Sequence, residues 1–168
     1  MTTLYLGKAG VLEGFVQVVL KYLSVQPKIE YIDDLPEESK ACLLKLSPTK
    51  TLPLLKVKDS LITGVFPILN YLISSEPEET KKCLLGCDQL EISQNEMFLN
   101  YIMSSICPIT NEIFLNLKGK KMFNKAVLDE AVKDLIEELD ALNSRLKFRT
   151  FLLAHSAMLC DIFLACTI

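Results

Sequence analysis

A single histidine, His155, stands in the 168 residues, and the six cysteines include no Cys-x-x-Cys pair. A closed metal site takes four ligands, usually cysteine and histidine in paired spacings, so this chain has too few for one. Redox chemistry of the thioredoxin kind runs on a Cys-x-x-Cys thiol pair and is excluded by the same lack. An excess of basic charge is missing as well. Eighteen Lys and Arg face twenty-one Asp and Glu, for a net charge of −3, so nothing draws the chain as a whole to phosphate backbones, and no direct nucleic-acid partner is expected. Long uncharged apolar runs are absent. The first twenty residues carry Glu13 and show no small-residue cleavage site, which is not a signal peptide. The apolar stretch 151–168 is interrupted by His155 and Asp161, and a membrane span needs about 20 apolar residues; it reads as a buried core helix, and no membrane partner is expected.

Half of the residues are hydrophobic, the opposite of a disordered composition and enough for one good core or two small ones. Cys42, Cys83, Cys87, Cys107, Cys160 and Cys166 are scattered and read as free structural thiols of a cytoplasmic, reducing compartment. Thr3 to Leu6 is a first strand ended by Gly7. Val11 to Leu23 follows with helical apolar spacing, stopped by Pro27, and Lys28 to Ile32 alternates with the period of a strand. Pro36-Glu37-Glu38 opens a short helix, with acidic residues in its first turn. Leu52–Val57 and Ser60–Thr63, two residues apart, predict a hairpin, and Phe66–Ile73 a further helix. The order β-α-β-α-β-β-α, with a right-handed parallel crossover in its first unit, is thioredoxin-like. Residues 76–80, polar and broken by Pro77, predict a linker between a domain at 1–75 and an all-helical one at 81–168. In the latter, Leu90–Met103 is helical, Pro108 breaks or kinks it, and Leu128, Val132, Leu135, Leu139, Leu142 and Leu146 form the stripe of one long bundle helix.

Two motifs add a resemblance. Leu46-Ser47-Pro48-Thr49-Lys50-Thr51-Leu52-Pro53-Leu54-Leu55 resembles the N-P-x-G-K-V-P-x-L loop of the glutathione transferases. Arg149-Thr150-Phe151-Leu152-Leu153, followed by Asp161-Ile162, resembles their R-T-F-L-V-G-x-x-x-T-L-A-D-I segment. With Cys166-Thr167 after it, the second motif is closest to the transferase-like domains of the elongation factor 1 gamma family. Leu61-Ile62-Thr63-Gly64 suits related domains of aminoacyl-tRNA synthetases and their scaffold proteins as well. The resemblance implies a glutathione-transferase-like fold, C-terminally shortened. It makes Pro53 a cis-proline that presents the backbone of Leu52 to glutathione, and Asp161 a structural acceptor at the start of the central helix.

The departures from these motifs matter more than the matches. Aligned on Ile68 and Tyr71-Leu72, Gly64 and Val65 occupy the places of the Glu-Ser pair that holds the γ-glutamyl end of glutathione. Each lost charged hydrogen bond is worth about 1.5–3 kcal/mol. The turn Gly7-Lys8-Ala9-Gly10-Val11 has no Ser, Cys or Tyr to activate a thiol, and Tyr5 lies within the strand. Lys8 is either a solvated lysine or a partner for a glutathione carboxylate or thiolate. The resulting pocket, comprising Lys8, Leu52, Pro53, Gly64 and Val65, is degenerate, with no catalytic residue and no cofactor beyond weak glutathione binding. Met158 stands where a helix-capping Ser or Thr belongs, with Ser156 as a substitute if the helix begins earlier. The expected function is a non-catalytic protein-interaction module of the translation apparatus. Its expected partners are translation-factor subunits or aminoacyl-tRNA synthetases. The alternatives are a divergent glutathione transferase and a synthetase-complex scaffold. Phe163, Leu164 and Ile168 are expected to form an apolar patch covered by a second copy or another protein.

Overall fold

Residues 2–8, 10–47, 49–119, 121–153 and 155–168 are described by the computed structural model of the chain. Ala9 of the first turn and Pro48 of the loop motif lie outside them. The chain divides into two units, Met1–Lys81 and Lys82–Ile168.

In the first unit, β1 (Thr2–Leu6) is central: it pairs in parallel with β2 (Lys28–Tyr31) and antiparallel with β3 (Leu54–Val57), giving the order β2-β1-β3-β4 with β4 (Ser60–Thr63) at the far edge. Strands covered on both faces read as continuous apolar runs. Leu4, Leu6, Leu54 and Leu55 are accordingly sealed from solvent, and Tyr5 is nearly so. The outer strand β2 instead pairs Lys28 with Glu30 at 2.6 Å, and charge of this kind discourages pairing with a foreign strand. Helix α1 (Val11–Leu20) buries Phe15, Val16, Val19 and Leu20. Helix α2 (Glu37–Leu46) buries nothing, and α3 (Val65–Ile73) buries Val65, Ile68, Leu69, Leu72 and Ile73.

The observed boundaries differ from the predicted ones for local reasons. Helix α1 stops at Leu20 rather than Leu23, because its end tightens into i→i−3 bonds such as Leu23 N to Leu20 O. There the Gln26 amide donates to the carbonyls of Leu20 (2.6 Å) and Leu23 (2.9 Å), satisfying acceptors that the helix has left open. Strand β3 starts at Leu54 because Pro53 has no N–H to give to a ladder.

Glu76 is 4% exposed; its carboxylate accepts from the Ser24 hydroxyl at 2.6 Å and the Val25 amide at 2.8 Å. Those bonds hold its carboxyl below the ordinary value, the Ser24 bond most. A lowered folded value gives stability that is complete above the unfolded value, about 4.3, and lost as pH falls through the folded one. Urea unfolding should therefore show the wild type weakening below roughly pH 4.3. Glu76→Gln should be weaker at pH 7 and respond less to acid.

The second unit is all helix: α4 (Glu78–Leu85, begun before the unit boundary), α5 (Gln89–Tyr101), α6 (Cys107–Leu117), α7 (Lys125–Leu146) and α8 (Leu159–Thr167). Pro108 does not break the path. One π-helical segment, Ile102–Ile106, joins α5 to α6, and such a bulge absorbs the mismatch a proline creates upstream. The stripe of α7 is present, with Leu142 buried and Leu128, Leu135, Leu139 and Leu146 half-buried. Ala131 (8% exposed) lies inside instead of Val132 (40%), since a 3.6-residue helix drifts away from a seven-residue repeat. The expected terminal patch is corrected in part: Phe163 is fully buried, Leu164 is half-buried, and Ile168 is exposed. Phe163 falls on the same face of α8 as Leu159, Cys160 and Thr167, which are also buried. Among the described residues no helix is long and apolar enough to cross a membrane.

Candidate functional site

The turn between β1 and α1 is built around a glutamate. Gly10 is the N-cap of α1 and Glu13 its third residue, the place from which a glutamate reaches back over a helix start. Its carboxylate lies over the turn. A methyl group on Gly10 would sit 2.0 Å from Oε2, and one on Gly7 would sit 3.1 Å from Oε1 and 3.8 Å from Leu52 Cδ1. The turn, the Glu13 carboxylate and Leu52 therefore share one place. Lys8 is directed elsewhere: its ammonium meets Asp34 at 2.5 Å and its amide donates to Asp33 at 3.3 Å. The Asp34 carboxylate holds the Lys8 ammonium above its ordinary value. The pair is exposed on both sides.

Leu52–Pro53 is a cis peptide bond. The Pro53 carbonyl accepts the Gly64 amide at 3.4 Å, which brings the start of α3 to the same place. Gly64 caps α3 with φ of 91°, a backbone that side chains disfavour by roughly 1–2 kcal/mol, and Val65 points inward, 4% exposed. Leu52, Pro53 and Gly64 are thus brought together, while Val65 serves the core. Gly64→Glu should lower stability by about 1–2 kcal/mol in urea unfolding without adding a ligand for glutathione.

Tyr5, in register with Glu30 and Leu54, is raised above its ordinary value by burial and by Glu30, which is the environment of a packed residue. The thiols are unactivated where a shift is resolved. Burial pushes Cys160 up to about 12 and raises Cys107 and Cys166. Cys42, Cys83 and Cys87 are exposed, contrary to the usual burial of a free thiol: Cys42 and Cys83 lie on the mostly solvated helices α2 and α4, and Cys87 lies in the connection between α4 and α5. Among the described residues no cluster of His, Cys, Asp and Glu fit for a metal is present.

In the second unit Asp161 holds the start of α8. Its two oxygens accept the Leu152 amide (2.9 Å) and the Met158 amide (3.0 Å). Met158 is the N-cap and fully buried. Ser156 is not a substitute cap, since it is exposed and lies two residues before the N-cap.

The GST-like domain of elongation factor 1-gamma from Saccharomyces cerevisiae superposes with a TM-score of 0.81 over 99% of this chain and 75% of that one, at 23% identity. Glutathione transferase F2 from Populus trichocarpa gives 0.84 over 99% and 80%, at 17% identity. The fold is glutathione-transferase-like. In sequence, the chain is 24% identical over 125 residues to Elongation factor 1-gamma 1 of Oryza sativa subsp. japonica; the match covers 74% of this chain and 29% of the rice protein. No protein-family model matches the sequence.

Within that transferase-like fold, three polar residues escaped sequence reasoning. Glu13 had a signal, its place at the third position of a helix. Asn95 and Asn116, both buried, had none, because an asparagine in a helical pattern looks the same whether it is solvated or sealed.

Proposed function

We infer that this chain is a non-catalytic, protein-binding module of the translation apparatus, of the elongation factor 1 gamma kind, working in the cytoplasm with other translation-factor subunits. The observation that carries the reading is the Glu13 carboxylate over the turn between β1 and α1. That turn is where the resemblance requires a hydroxyl or thiol that stabilises the glutathione thiolate. A carboxylate there opposes a second anion, by about 1 kcal/mol in water and about 4 kcal/mol at an effective dielectric of 20 for a 4 Å separation. The anchors for the tripeptide are weak too: Gly64 offers no side chain, Val65 is buried, and Lys8 is paired with Asp34. The sequence likeness to elongation factor 1-gamma supports translation over other uses of this scaffold, since the fold itself is shared with glutathione transferases.

The transferase reading keeps one observation in its favour, the cis Leu52–Pro53 bond beside Gly64. Two measurements separate the readings. Millimolar glutathione should leave the melting temperature unchanged, whereas a ligand at 100 times its dissociation constant would add about 2.7 kcal/mol. A rise, together with conjugation of a chlorinated aromatic, would establish the transferase. Co-precipitation should recover elongation-factor subunits; recovery of aminoacyl-tRNA synthetases alone would assign the chain to a synthetase scaffold.

A further inference from the structure

The segment that carries the second motif is only half used by the fold. Leu152 is fully buried, with its amide on Asp161 at 2.9 Å and its carbonyl accepting Arg145 Nε at 2.9 Å. The residues before it face the other way. Phe148 is 90% exposed, Arg149 and Thr150 are exposed, and with Leu153 and His155 they line a cavity of about 410 Å³. That volume lies within the range of small-molecule sites, about 300–1,000 Å³.

The lining is one-sided in its chemistry. It offers a guanidinium, a hydroxyl and an imidazole, with no carboxylate among them. The nearby guanidinium of Arg145 is spent on the Leu152 carbonyl and on the Phe98 ring, 4.7 Å from its centre. Among the described residues no ion pair engages Arg149. The Lys147 ammonium lies 5.7 Å from the centre of the Phe148 ring, a second positive charge close to one lining residue. A guanidinium presents a planar fork of donors that suits phosphate oxygens, and a hydroxyl and an imidazole N–H supply further donors. A phenyl ring left almost wholly in water gains from being covered by a flat apolar partner.

We propose that this cavity binds a small aromatic phosphomonoester, with the phosphate on Arg149, Thr150 and His155 and the ring against Phe148. A phosphomonoester has three terminal oxygens to meet the three donor groups, and its charge of about −1.5 to −2 near neutrality exceeds that of a carboxylate. This site belongs to the helical unit and is independent of the reading given under the proposed function.

Because His155 is the one histidine of the chain, its ring C2–H proton resonance identifies itself, and phenyl phosphate can be titrated against it at constant ionic strength. A saturable shift with half-saturation in the millimolar range or below is expected. Arg149→Gln should weaken it at least about tenfold, the loss expected for a charged hydrogen bond. Phe148→Ala should weaken phenyl phosphate but not inorganic phosphate, and phenol alone should give no shift. Both substitutions are at exposed positions, and unchanged melting temperatures would show the fold intact. Absence of a saturable shift, or one that survives Arg149→Gln, overturns the site; loss to Arg149→Gln with indifference to Phe148→Ala overturns the aromatic requirement.

Discussion

Asn95→Ala is expected to cost the helical unit about 3–5 kcal/mol. Asn95 is 1% exposed. Its amide nitrogen donates to the carbonyls of Leu84 (3.0 Å) and Leu85 (3.2 Å), and its oxygen accepts the Cys160 amide at 3.1 Å. One side chain thus ties the end of α4, the middle of α5 and the first turn of α8. Alanine would leave the Cys160 amide and the Leu84 carbonyl without partners, and each buried orphan costs about 1–3 kcal/mol. Asn95→Asp is no rescue, because it keeps the acceptor but loses both donors and buries a charge. Domains of this size hold about 5–15 kcal/mol in all, so urea unfolding at pH 7 should show a collapse of the transition midpoint. Glu96→Ala, one residue on and exposed, should stay within about 0.5 kcal/mol of wild type. A small loss for Asn95→Ala would mean that water replaces its bonds and that the node is not a dry one.

Asp161→Ala should be comparably damaging, at about 3–6 kcal/mol. The carboxylate accepts two amides at once, from Leu152 and Met158, and both of those residues are fully buried. Bonds to a charged acceptor are worth about 1.5–3 kcal/mol each, and the start of α8 also favours a negative charge through its dipole. Asp161→Asn, which can still accept with one oxygen, should fall between alanine and wild type. Asp161 and Asn95 both act on the first turn of α8, so their losses should not add. A double-mutant cycle should give a coupling of about 0.5–3 kcal/mol, and strict additivity would show that the two act on separate structures.

Met158 shows where the sequence misleads. Read as a motif, it is a missing hydroxyl cap, a loss of about 1 kcal/mol. In the fold it is a fully buried apolar side chain beside an amide already satisfied by Asp161. Met158→Ser would exchange core packing worth about 2–5 kcal/mol for a cap that Asp161 has made partly redundant. The capping function moved along the chain while the cap position was given to the core.

What the sequence determined by itself is the order of elements and the fold they make. The period-two and period-3.6 apolar patterns, the two-residue gap of the hairpin and the punctuation at Gly7, Pro27 and Pro36 are local signals, and they placed the four strands and the helices α1, α2 and α3 correctly to within a few residues. The cis bond before Pro53 and the acceptor Asp161 at a helix start were implied by the family resemblance rather than by periodicity, and the structure holds both. Tertiary structure alone decided the direction of most polar side chains. Nothing in the spacing reveals that Lys8 turns to Asp34, that Asn95 is sealed between three helices, or that Phe163 is covered while Phe148 is bare. Those outcomes depend on which neighbours arrive from 25, 65 or more residues away, and one-dimensional periodicity carries no record of them.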